Sequence, residues 1–284
     1  MTKANKTTRK RSNNKITRNQ KTFNGFIRNW LSDSWDHKTN IEKRAITYDE
    51  LVEFLVYKSK KIILPGNITL DNILSTKPTF KSNMYLARQL TKQNRYMIAL
   101  GRIDDLSCIE NYNDDYYQIT IQQIKASEPI KYLCKKDKFD IAINGNTVKT
   151  PPFIVAGLIY YEAWGKPLKM MDIAIVPISD NGVFVESSYE RQYYNKAHQE
   201  NRAFIKPYNI KIYSSFKGRK PDAIFIDTGE KNTIVEIFGR SEGDELYHAR
   251  KEDKIKHFSQ LSNYNFECWY AYKGEPLPSL PEQK

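Results

Sequence analysis

The sequence predicts a mixed α/β protein: a basic arm, a small α+β segment, and a C-terminal third in the order α-β-β-β-α-β. Three observations predict it. Runs of β-branched and aromatic residues alternate with amphipathic stretches whose apolar residues recur every three or four positions. Two of those runs, Ala223-Ile224-Phe225-Ile226 and Ile234-Val235-Glu236-Ile237-Phe238, flank a Gly-containing turn and form a hairpin signature. Residues 1–22 carry Lys and Arg but no acid and almost no apolar side chain, a composition that cannot bury enough surface to fold.

The arm comes first. Its eight cations, Lys3, Lys6, Arg9, Lys10, Arg11, Lys15, Arg18 and Lys21, account for most of the net +12 and leave +4 for the rest of the 284-residue chain. A basic arm on a mildly basic body favours a polyanionic partner, most simply DNA, with RNA as the alternative. Arg9, Lys10, Arg11, Lys15 and Arg18 are its candidate nucleic-acid contacts. A disordered solvating leader is the plainer reading of the same run.

Residues 23–180 form the expected α+β domain. Phe23, Phe26, Ile27, Trp30 and Leu31 have helical spacing, and a second helix starts at Thr47, where Thr47 and Glu50 make a capping box. Pro65-Gly66 breaks the chain. From Met84 to Ile143 the sequence reads mostly as β, with strands at Tyr96–Leu100 and Tyr116–Ile121, and further strands follow at Phe153–Tyr161 and Met171–Val176. Nothing in this half discloses a chemistry.

Residues 181–284 form the second domain. A helix is expected from Ser187 to about Arg202, with Ser187 and Glu190 as a second capping box, then a strand at Phe204–Tyr213 in which Pro207 argues for an edge. Hairpin strands follow at about 220–227 and 233–238, then a helix from about Asp244 to Leu261 and a last strand at Phe266–Tyr272.

Composition narrows the function. Cys108, Cys134 and Cys268 lie far apart, which argues against a zinc ribbon and against a disulfide scaffold and fits a reducing cytoplasm. The N-terminus lacks an apolar signal core, and Phe153–Tyr161, the longest apolar stretch, is far short of the roughly 20 residues a membrane helix needs. His37, His198, His248 and His257 form no metal-spaced pair, and no P-loop is present. Gly-Leu-Ile-Tyr-Tyr at 157–161 is only an imperfect match to a GIY-YIG nuclease motif. Oligomeric state is left open, a homodimer included.

The hairpin carries the chemistry. Asp222 opens its first strand and Glu236 interrupts a second strand that is apolar on both faces. Buried carboxylates cost several kcal/mol or more unless they meet a cation, and a divalent metal satisfies a neighbouring pair. Asp222 also reads as a turn residue after Pro221, and Glu236 as half of a structural ion pair.

This order of elements, with an acid opening the second core strand and another inside the third, resembles the PD-(D/E)XK nuclease superfamily over about residues 186–272. The resemblance implies a restriction-endonuclease-like α/β/α core with a mixed central sheet, Mg²⁺ or Mn²⁺ bound by Asp222 and Glu236, and hydrolysis of DNA. Glu190 would then complete the site or orient water, with Glu186 as its backup. A narrower similarity, to a bacterial and often plasmid-borne family with a domain of unknown function, rests on Glu186–Glu190, Lys206-Pro207, Lys220-Pro221-Asp222, Val235–Gly239 and Tyr247…Arg250-Lys251…Lys254. It implies a mobile-element protein.

One position departs from the pattern. Phe238 stands where the superfamily has Lys, two residues after the acid. In the next helix Lys254 lies near the centre of an apolar stripe made by Leu246, Tyr247, Phe258 and Leu261, where a cation needs an acid or a ligand. Lys254 is therefore the first candidate for a relocated catalytic lysine, with Lys251 second and Arg240 third. The rival reading of the whole chain is a non-catalytic nucleic-acid-binding protein on a decayed nuclease scaffold.

Overall fold

Thr22 accepts a hydrogen bond from Gly25 N–H at 3.0 Å and so caps the first helix, α1 (Phe23–Glu42). The computed structural model describes residues 22–207, 213–240 and 245–284. The arm cations Arg9, Lys10, Arg11, Lys15 and Arg18 lie outside the described residues, as do positions 208–212 of the strand expected at Phe204–Tyr213. The protein is mixed α/β, with six helices among the described residues.

Of the predicted stripe, helix α1 buries Ile27, Trp30 and Leu31 and half-buries Phe23 and Phe26, and it continues through Trp35. Helix α2 (Tyr48–Ser59) starts on the expected capping box: Glu50 N–H donates to Thr47 Oγ1 at 3.2 Å and Thr47 N–H to Glu50 Oε2 at 2.8 Å. Pro65-Gly66 turns the two-stranded β1 (Ile63–Leu64) and β2 (Ile68–Thr69).

The segment read as mostly β from Met84 to Ile143 is interrupted by two helices, α3 (Phe80–Lys92) and, between strands, α4 (Lys136–Asn144). Thr79 caps α3 through Ser82 N–H, and Met84, Ala87 and Leu90 make its buried side at helical spacing. In α4 the buried pair is Phe139 and Ala142, three residues apart. Such short stripes are easily read as strand where aromatic and β-branched residues are dense around them.

The strands of this half are β3 (Met97–Ile103), β4 (Ile109–Asn111), β5 (Tyr116–Gln123), β6 (Ile130–Lys135), β7 (Phe153–Tyr160) and β8 (Lys169–Pro177). They pair in the order β3-β7-β8-β6-β5-β4, all antiparallel except β6 with β8. A further pairing of β3 with β5, Gly101↔Gln123 and Arg102↔Gln122, closes five of them into a barrel. Gly101 makes that closure possible: a Cβ there would run into the Gln122 carbonyl and sit 2.8 Å from Gln123 Cα. Alternate residues fill the barrel, among them Ala99, Ile119, Tyr132, Val155 and Ile175.

The outer faces of β3, β7 and β8 are buried as well. Leu100, Ala156 and Val176 join a cluster that includes Trp35 of α1, Tyr193, Phe204, Phe225 and Trp269. Strands buried on both sides read as unbroken apolar runs, which is why Phe153–Tyr160 looks as it does. The same cluster runs through position 180, so the two sequence-defined halves share one core.

The C-terminal elements are α5 (Ser188–Gln199), β9 (Phe204–Ile205), β10 (Ala223–Phe225), β11 (Asn232–Ile237), α6 (Glu245–Ser259) and β12 (Tyr264–Trp269). The order is the predicted α-β-β-β-α-β, with the last strand starting two residues and ending three residues earlier than expected. Their sheet runs β12-β11-β10-β9; β10 is antiparallel to both neighbours and β11 parallel to β12. Among the described residues no helix is long and apolar enough to cross a membrane.

Candidate active site

The hairpin register Ala223↔Val235 sets Asp222 beside Glu236. Asp222 precedes β10 after Pro221, and its Oδ2 accepts from Ile237 N–H at 2.7 Å, while its carbonyl accepts from Tyr194 OH at 2.7 Å. Glu236 lies in a strand paired on both sides, so it has nowhere to escape and is 1% exposed. Burial pushes its carboxyl well above the usual range, and the neighbouring Asp222 adds to this.

Lys254 of α6 answers the pair. Its Nζ donates to Glu236 Oε2 at 2.8 Å. Burial opposes its charge, but Asp222 and Glu236 outweigh burial and raise its pKa. Glu236 Oε1, by contrast, is buried with no hydrogen-bond partner. A buried, unpartnered carboxylate oxygen is costly, and such groups cluster where a ligand belongs.

Glu190 departs from a simple capping box. Ser187 Oγ accepts from Glu190 N–H at 3.1 Å, as expected, but Glu190 Oε2 accepts from Glu186 N–H at 2.9 Å and from Lys206 Nζ at 2.5 Å. That oxygen is committed to a buried ion pair. Lys206 is 2% exposed, also donates to the Phe184 carbonyl at 3.1 Å, and lies 4.9 Å from the centre of the Phe184 ring. Burial works against its charge, and Glu190 and Glu186 outweigh it, so Lys206 stays an ammonium. Sequence reasoning noted Lys206-Pro207 but gave Lys206 no role; a lysine directly after Ala203-Phe204-Ile205 was the available signal. Glu186 is more exposed and approaches Lys206 at 3.8 Å and Lys220 at 3.5 Å.

Lys251 goes elsewhere. It donates to Tyr272 OH at 3.0 Å, and its Nζ sits over the rings of Phe238, Tyr270 and Tyr272 at 5.4, 4.8 and 4.9 Å. Phe238 is buried and stacked on Tyr270, so it builds a cation-holding cage in place of supplying a cation. Arg240 is exposed, with its guanidinium over Tyr247 at 5.8 Å.

All seven predicted residues, Asp222, Glu236, Lys254, Glu190, Lys251, Glu186 and Arg240, line one cleft of about 730 Å³. The Thr147–Thr150 segment before β7 forms another part of its wall, and α5 holds it in place: Arg191 donates to Thr150 Oγ1 at 3.1 Å and to the Pro151 carbonyl at 2.8 Å. No protein-family model, curated protein or solved structure matches this chain.

Whether the site suits a metal is decided by its donors. Among the described residues no group of three His, Cys, Asp or Glu side chains is arranged as a metal cage. Mg²⁺ does not need one; it takes one or two carboxylates and keeps waters or phosphate oxygens for the rest. Two adjacent carboxylates with one unpartnered buried oxygen meet that requirement.

Proposed function

We propose that the protein is a Mg²⁺- or Mn²⁺-dependent DNA nuclease that hydrolyses phosphodiester bonds on a restriction-endonuclease-like α/β/α core. One observation carries the reading: Lys254 reaches across from α6 to within 2.8 Å of Glu236, beside Asp222, in an open cleft. Strand Asn232–Ile237 supplies the acid and the next helix supplies the lysine that Phe238 does not.

Asp222 and Glu236 would hold the metal, whose chemistry is to polarise the phosphate and to lower the pKa of an attacking water. Lys254 would place its ammonium against a non-bridging phosphate oxygen and stabilise the charge that develops there. Glu190, held by Lys206 and raised in pKa by burial, would brace the floor of the site as half of a buried pair. The basic arm would add sequence-independent contacts to the DNA backbone, in keeping with a cytoplasmic mobile-element protein.

Purified protein should nick or cut DNA with Mg²⁺ or Mn²⁺ and stop when a chelator is added. Asp222→Ala should lower the rate by about a hundredfold or more, the scale of losing a principal electrostatic contact in a transition state, with the melting temperature little changed. Wild-type activity equal to that of Asp222→Ala would sink the reading.

Phe238 favours a second reading, a nucleic-acid-binding protein without catalysis, in which Lys254–Glu236 is only a structural pair. DNA binding would then fall steeply with salt and be indifferent to chelator and to Asp222→Ala.

A further inference from the structure

The barrel has a face that the shared core does not cover. Strands β3, β7 and β8 are buried on both sides, but on the outer face of β5 and β6 Lys131 and Lys135 are exposed, Tyr116, Gln118 and Thr120 half-buried, and only Leu133 buried. Tyr116, Gln118 and Thr120 lie there opposite Lys135, Leu133 and Lys131 in register, so the exposed or half-buried part of the face is neutral or cationic. The parallel pairing Leu133↔Lys169 brings the start of β8 alongside, and Lys169 Nζ lies 5.8 Å from the centre of the Tyr116 ring.

The connection from β7 to β8 opens at this same edge, since Tyr160 pairs with Lys169. It carries Trp164, 66% exposed, followed by Gly165 and Lys166, and Met171 just beyond is 48% exposed. A tryptophan left in water in the β7–β8 connection, two residues before Lys166, with Lys131, Lys135, Lys169 and Tyr116 on the barrel strands that this connection feeds or flanks, offers a base-stacking surface beside a phosphate track. Two acids stand on it: Glu162, which Lys169 already pairs with at 2.6 Å, and Glu110, which lies opposite Gln118 in register and accepts from its side-chain amide at 3.0 Å. Asp114 and Asp115, in the β4–β5 turn, bound the track on that side.

We propose that this face, β5, β6 and the β7–β8 connection, binds single-stranded DNA, with Trp164 as the stacking anchor and Lys131, Lys135 and Lys169 along the backbone. Unpaired bases offer rings for stacking and a flexible backbone that can follow a curved barrel wall; a duplex hides its bases. The connectivity agrees with this chemistry. Five strands closed in the order β3-β5-β6-β8-β7, with α4 between the third and fourth of them in the chain, make the kind of small barrel that serves as an oligonucleotide platform. That likeness is an analogy; the exposed side chains carry the inference. The surface is separate from the cleft. Thr150, on the cleft wall, and Trp164 lie beyond opposite ends of the eight-residue β7, which is roughly 25 Å long.

The test is a fluorescence-anisotropy titration of the full chain in chelator with a labelled oligothymidylate and with a duplex of the same length. Trp164→Ala should weaken single-strand binding about tenfold, within the range for losing one stacked base, and change duplex binding much less. Lys135→Ala should lower the slope of log affinity against log salt by about 0.7, the value for one single-strand phosphate contact. Both residues are exposed, so neither change threatens the fold. Single-strand affinity unaltered by either variant, or a wild-type chain that does not bind the oligothymidylate, overturns the proposal. Cleavage of duplex DNA is read separately, so failure here leaves the nuclease reading standing and the converse also holds.

Discussion

The two ends of strand β10 carry one acid each and treat it in opposite ways. Beyond its C-terminal end, Asp227 accepts two hydrogen bonds from Arg202, Nε at 2.9 Å and one terminal guanidinium nitrogen at 2.9 Å, and a third from Ala203 N–H at 2.8 Å. Both side chains are nearly buried, and Arg202 also donates to the Pro281 carbonyl. Both oxygens of this acid are hydrogen-bonded, and it does not line the cleft that holds Asp222. Before the other end, Asp222 sits against a second carboxylate, Glu236, whose Oε1 has no partner and whose lysine is partly exposed. The same strand thus holds a closed ion pair that serves the fold and an open one that works against it. Unfinished electrostatics, more than buried charge as such, single out the candidate functional end.

Breaking the closed end should have the largest effect. Arg202→Ala leaves Asp227 buried without its cation and should cost about 3–5 kcal/mol, read as a lower urea midpoint with an unchanged slope. A loss below 1 kcal/mol would erase the contrast. At the open end Glu236→Gln removes the repulsion with Asp222 and frees Lys254, which can reach water. Stability should then stay level or rise by up to about 1 kcal/mol, while metal-dependent cleavage is lost. A strongly destabilised Glu236→Gln would mean that the open end is structural too.

A surface pair calibrates both. Glu50 is held at about 2, below its usual 4.5, first by its hydrogen bond from Arg44 and then by the Thr47 N–H. A carboxyl whose folded pKa is lowered gives its full stabilisation above the unfolded value and loses it as the pH falls towards the folded one. Glu50→Gln should therefore cost a few tenths of a kcal/mol, roughly what an exposed pair is worth, with the difference from wild type fading between pH 4.5 and 2. A loss that persists at pH 2 would place the effect in helix propensity and not in charge.

How much of this was legible follows from how local each signal is. The Thr47–Glu50 cap, the Pro65-Gly66 turn and the hairpin acids depend on neighbours a few residues away, and all are where the sequence puts them. Lys254 was found because a lysine breaks a helical stripe, a pattern that needs no partner to be seen. Lys206 was missed as a site residue because its meaning depends on Glu190, sixteen positions earlier and on another element. Barrel closure was invisible for the same reason: Gly101 meets Gln123 only in three dimensions. Asp222 was singled out by its Pro-Asp step, whereas the closed, structural role of Asp227 shows only in the approach of Arg202 from beyond the end of α5.

The core that runs through position 180 has a consequence for how substrate gains entry. Trp35 rests 5.8 Å from Phe204 by ring centres, and Phe204 stacks on Tyr194, so helix α1, strand β9 and helix α5 are bolted into a single block. Thr147–Thr150 is fastened to that block by Arg191, and the carboxylates are fastened to it by the hairpin. The two walls of the cleft cannot part like jaws without tearing the common interior. On the nuclease reading, substrate would slide into a slot of fixed gauge, and choice among nucleic acids would be made by what fits on arrival.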